Sequence, residues 1–123
     1  MFENQMNPEL DKQKLIDYWI TSSDEDIDTM ITLFENKKYS WSLFLGHLAI
    51  EKLMKALFVH VNNEHPPYIH NLIRLAEKCK LNLDADLSLF FATITAFNIN
   101  SRYDDYKQSF KKKYTPEYTL FWI

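Results

Sequence analysis

Between residues 102 and 114, five cations (Arg102, Lys107, Lys111, Lys112 and Lys113) are interleaved with three tyrosines (Tyr103, Tyr106 and Tyr114). Cations neutralise phosphates and tyrosine rings stack on bases, so this is the chemistry of a nucleotide or single-stranded nucleic-acid site. Asp104 and Asp105 temper the field and leave the stretch at +3. A solvated basic loop accounts for the lysines equally well. The Arg102–Tyr103–Asp104 core, expected just after a helix, is harder to explain by solvation alone. Arg102, Tyr103, Tyr106, Lys107 and Lys111 are therefore the candidate nucleotide- or RNA-binding residues, and Arg102 is the one candidate for catalysis.

A second polar group falls on an otherwise apolar segment. Glu51 and Lys55 are four apart, the spacing that brings side chains together on a helix, and with His47, beside Gly46, they are candidate supporting polar residues. Glu51, Lys52 and Lys55 read as a polar strip, and His47 as a core histidine or a partner for a nearby polar group. His60, His65 and His70 are five apart around Pro66–Pro67. Helical zinc ligands are four apart and no His-Glu-x-x-His accompanies these, so they read as loop and cap histidines. No metal and no cofactor are expected. Cys79 is the sole cysteine, which precludes an intramolecular disulfide or a cysteine zinc site and fits a reducing cytoplasm. No serine or cysteine sits in a recognisable nucleophile elbow.

The elements that must hold these residues follow from composition and periodicity. One glycine in 123 residues, where average usage gives roughly nine, leaves no material for a Walker loop, a dinucleotide fingerprint or glycine hairpins. Phosphate recognition by backbone amides is thereby excluded, and side chains are the remaining route. The length fits a single domain over 1–123, and 46% hydrophobic residues supply a core. The expected fold is all-α, an up-and-down bundle of four to five helices. Apolar spacing predicts one long helix from Leu10 to Asn36, with Trp19, Ser23, Ile27, Ile31 and Phe34 on one stripe and a polar patch at Ser22–Asp26. A central helix follows from Tyr39 to Val61, in which Gly46 points to a close helix–helix contact. Shorter helices are predicted over 70–80 and, capped by Asp84, up to Asn98, with residues 98–114 irregular. Thr115–Pro116–Glu117 reads as a cap, an N1 proline and a first-turn acid. The apolar Leu120–Ile123 end suggests that the chain is cut short there or packs on another subunit. No segment reaches the roughly 20 apolar residues of a membrane span and no signal pattern opens the chain, so a soluble, cytoplasmic protein without membrane association is expected. Residues 1–36 carry a net charge of −7 and the remainder +4, an asymmetry that suggests a polar partner for the basic part or merely an acid-coated helix.

Four pieces in order carry a resemblance. They are Trp19 with Asp24–Glu25–Asp26, the Tyr39–Leu57 segment containing Glu51-Lys52-x-x-Lys55-Ala56, the Pro66-Pro67-Tyr68-Ile69-His70-Asn71-Leu72 junction, and Ser101-Arg102-Tyr103-Asp104. Each is weak alone and fairly specific as a set, and together they resemble a bacterial or archaeal HEPN domain over nearly the whole chain. The resemblance implies a four- or five-helix bundle that usually forms a homodimer. It also implies operation beside a small (minimal) nucleotidyltransferase, often as the toxin half of a toxin–antitoxin pair whose active members cut RNA without metal. Ribonuclease members carry a histidine after four to six positions beyond the arginine. Here those positions are Lys107, Gln108 and Ser109. Arg102 can serve a phosphate, but a tyrosine with a pKa near 10 is a poor base at neutral pH. Some partner transferases modify a tyrosine near this motif, in a His-x-Tyr context that this chain lacks. The first reading is nucleotide or RNA-phosphate binding without cleavage, in partnership with a nucleotidyltransferase. The alternatives are a degenerate metal-independent ribonuclease toxin, or a structural dimerisation module in which Arg102 pairs with Glu51 or an acid of the first helix.

Overall fold

A computed structural model describes residues 8–102 and 115–123, with side-chain surroundings for 12–97 and 115–123. Those residues form five helices in an all-α bundle: α1 (Pro8–Glu35), α2 (Tyr39–Asn62), α3 (Leu72–Lys78), α4 (Ala85–Arg102) and α5 (Pro116–Trp122). The polar Ser22–Asp26 patch does not break α1, because Ser22, Ser23 and Asp26 find partners on α2.

The α1–α2 hairpin is the frame of the molecule. The chain reverses at Lys37, whose φ of 63° is left-handed. Lys37 donates its N–H to the carbonyl of Phe34, and Lys38 donates to that of Leu33. This pair of bonds closes the helix end in a Schellman motif. Small residues then let the two helices approach. Buried Ser23 donates its hydroxyl to the Ala49 carbonyl at 2.8 Å, and buried Ser42 donates to the Met30 carbonyl at 2.8 Å. Between them, a Cβ added to Gly46 would lie 3.2 Å from Met30 Sδ. Gly46 is thus the expected contact residue, and its helix-propensity cost of about 1 kcal/mol is offset by packing. The buried stripe of α1 runs through Ser23 and Met30, whereas Ile31, expected inward, is 44% exposed. Ser23 keeps its expected place, and beyond it Met30 takes the inward position expected of Ile31 because it packs against Gly46.

Two apolar clusters fix the remaining helices on α2. Met54 packs with Leu72, Leu75 and Ala76 of α3, and Leu43 packs with Phe97 of α4. Asn71 caps α3 by accepting the N–H groups of Ile73 and Arg74, and Asp84 caps α4 by accepting that of Leu87. The cap shortens α3 relative to the expected 70–80 span and leaves His70 outside the helix. α4 is longer than expected: residues 98–102, read as irregular, continue the helix, so Arg102 is its last described residue and not a loop residue after it. Thr115 caps α5 through the N–H of Tyr118, with Pro116 in the first turn as expected. Trp122 of α5 meets Phe90 and Phe97 edge-on at 5.4 and 5.6 Å, while Leu120 and Phe121 are exposed. No helix among the described residues is long and apolar enough to cross a membrane.

Candidate functional site

His47, Glu51 and Lys55 form a continuous strip along α2, but it is not the solvated strip that its polarity suggested. Their relative exposures are 0, 4 and 6%. α1 covers it on one side and the junction before α3 on the other. Lys55 Nζ lies 2.9 Å from Glu51 Oε2 and 5.3 Å from the centre of the Trp19 ring. A carboxylate beside the ammonium and a ring face above it are what a buried lysine needs to remain charged. Lys52, one turn-face away, leaves the strip and ties α2 to α1 through Asp26 at 2.8 Å and Ser22 at 2.7 Å. Glu51 is held by Lys55 on α2 and by residue 70; its expected pairing with Arg102 falls on a side chain outside the described surroundings.

The third occupant of the strip is His70. Its Nδ1 lies 3.0 Å from both Glu51 oxygens, so the imidazole donates Nδ1–H to the carboxylate. Its backbone is held as well, because His47 Nε2 donates to the His70 carbonyl at 2.9 Å. Two residues one turn apart on α2 thus hold residue 70 by main chain and side chain. Its side chain remains 53% exposed, and the hydrogen bonds it makes to Glu51 all run through Nδ1. The next anchored residue is Leu72, whose N–H is donated to Thr95 Oγ1 of α4 at 3.1 Å. His70 was read as a loop or cap histidine. The signal that could have found it is its place beside the capping Asn71, opposite a charged i, i+4 pair on an apolar helix.

His60 and His65 are exposed and do not join this group. Among the described residues no set of three or more His, Cys, Asp or Glu side chains is placed to hold a metal ion. Cys79 is buried, donates its thiol to the Met54 carbonyl at 3.3 Å, and has its pKa pushed up by burial. An apolar cavity of about 230 Å³ lies on the other side of α2, lined by Leu43, Gly46, Ile50, Ile94, Phe97 and Trp122, with His47 at its edge. Among the described residues that line it there is no lysine or arginine. Arg102 ends α4, and Tyr103, Tyr106, Lys107 and Lys111 lie outside the described residues.

An all-helical bundle with a buried Glu–Lys pair on its second helix, a histidine junction into its third and an arginine ending its fourth defines a class, and comparison with known families agrees. The sequence model of the HEPN domain matches residues 16–119, and the chain belongs to that family. Neither the curated proteins nor the solved structures provide a significant match.

Proposed function

We propose that this HEPN domain binds RNA or nucleotide phosphates through Arg102, Tyr103, Tyr106, Lys107 and Lys111, as the partner of a small nucleotidyltransferase in a toxin–antitoxin-type pair. The observation that carries the reading is the extent of the family match, which encloses the whole 102–114 stretch within the domain. The cation-and-tyrosine segment therefore belongs to the domain's own sequence and is not an appended tail. α4 supports it by extending to Arg102, which gives the first cation of the segment a helical base. A homodimer is part of the same reading, since a two-fold pairing would bring two such segments into one assembly.

Titration of a fluorescent single-stranded RNA at several salt concentrations tests it. With five cations available, the slope of log K against log salt should reach at most about −3.5, and Arg102→Ala should reduce it by about 0.7. Binding that does not weaken with salt, or that Arg102→Ala leaves unchanged, overturns the assignment. Sedimentation of the purified protein alone and with its candidate transferase tests the assembly.

A further inference from the structure

The cavity of about 230 Å³ beside α2 stands where α1, α4 and α5 close on that helix. Protein interiors hold few spaces much larger than a water molecule, so one of this size requires a reason. Its walls are chemically uniform: Ile27 and Met30 come from α1, Leu43 and Ile50 from α2, Ile94 and Phe97 from α4. No lysine, arginine, aspartate or glutamate is among the described lining residues. His47, at the edge, is committed through Nε2 to the His70 carbonyl. Two small residues of α2, Gly46 and Ala49, complete the lining on that side. Contact with Met30 Sδ accounts for Gly46. Ala49 meets the space with a methyl group, where a leucine would take up much of it.

Size and chemistry together define an occupant. An apolar cavity of about 150 Å³ is enough to take up benzene, so this one has room for a fused pair of rings. A charged molecule would lose its hydration there without recompense. Aromatic rings fit better than aliphatic chains, because Phe97 and Trp122 offer ring edges and faces and Met30 offers a sulfur. We propose that the cavity is a binding site for a small uncharged aromatic molecule of about ten non-hydrogen atoms, and that its occupancy fastens α5 to the bundle. α5 has seven residues, too few to hold a helix alone. Trp122 is its aromatic anchor on Phe90 and Phe97, and the same Trp122, with Ile123, forms the α5 wall of the cavity. A ligand seated there touches α5 on one side and α1 and α2 on the other, so α5 stays closed while the ligand is bound. This binding is independent of the phosphate-binding reading of residues 102–114.

Indole and benzoate are equal in non-hydrogen atoms and differ in charge, so the two serve as probe and control. Each is titrated into the isotope-labelled 123-residue chain, and the Trp122 Nε1–H resonance, assigned with Trp122→Phe, is followed. Indole should shift it saturably with a dissociation constant on the order of 10⁻⁴–10⁻³ M. Benzoate should bind about tenfold more weakly or less than that. With indole at about ten times its dissociation constant, amide exchange through opening of α5 should slow about tenfold. Ala49→Leu should weaken indole binding about tenfold or more, with circular dichroism unchanged. No saturable shift, equal binding of benzoate, or α5 exchange that indole leaves unchanged overturns the proposal. So does indole binding that persists undiminished in Ala49→Leu, since the ligand then sits elsewhere. Should Ala49→Leu not fold, Leu53→Phe, at the 44% exposed rim of the cavity, carries the same comparison.

Discussion

Glu51→Gln leaves the shape of the buried strip almost intact and removes one charge. Lys55 is then an ammonium with 7% of its side chain exposed, facing a neutral amide and the Trp19 ring. Stripping one member from a buried pair costs about 3–5 kcal/mol, because the remaining charge has lost both water and its counter-ion. Set against a whole-domain stability of about 5–15 kcal/mol, that is a large fraction. With an m-value of about 2 kcal/mol per molar urea, the unfolding midpoint should fall by about 1.5–2.5 M. Lys55→Met added to Glu51→Gln removes the orphaned charge, and the double variant should recover to within about 1 kcal/mol of the parent. The internal control is Lys52→Met. Its pair with Asp26 is 23 and 14% exposed and partly screened, so its loss should cost about 1 kcal/mol. Urea melts of the parent and all three variants followed at 222 nm supply the numbers. Single and double variants falling equally, or Glu51→Gln costing no more than Lys52→Met, would refute the claim that the strip is a dry ion pair.

Two further expectations concern the frame and the thiol. Gly46→Ala should be close to neutral, its helix-propensity gain of about 1 kcal/mol cancelled by displacement of Met30 Sδ. Gly46→Leu should cost about 1–3 kcal/mol through overpacking, with Met30→Ala restoring part of it in the same urea melts. Cys79 has its pKa raised by burial, so folding favours the thiol over the thiolate. The sign follows: its contribution to stability is whole below the ordinary thiol range near 8.5 and is lost as pH rises through the higher folded value. Native protein should react with an aromatic disulfide reagent at pH 8 far more slowly than protein in 6 M urea, and equal rates would show that the thiol is accessible.

The helices were legible where periodicity and chemistry agreed. α1 and α2 emerge within two residues of their ends because each carries a long apolar stripe at helical spacing. Thr115–Pro116–Glu117 foretells α5 because its three residues each satisfy a separate requirement of a helix start. The end of α4 was not legible, since Asn98, Asn100 and Ser101 are weak helix formers and nothing local opposes a loop there. The site was legible in part. The spacing of Glu51 and Lys55 put them on one face, but a polar strip on a helix is normally wet, and only the packing of Trp19, His47 and residue 70 shows that this one is dry. No local signal links His70 to Glu51, because that contact is made across 19 residues by the docking of the Pro66–Pro67 junction.

With its single glycine committed to the α1–α2 contact, the chain closes three helix ends on side-chain-bearing residues: Lys37, Asn63 and Lys80 have φ of 63°, 56° and 62°. Asparagine tolerates that conformation. Each lysine gives up about 1–2 kcal/mol to it, partly regained by placing a positive charge at a helix C-terminus. The protein therefore carries a reserve of untapped stability at two surface turns, remote from the strip on α2 and open to selection or engineering without disturbing it. A variant weakened in the buried strip has somewhere to recover, and the recovery would come from the backbone of the turns and leave the core as it is.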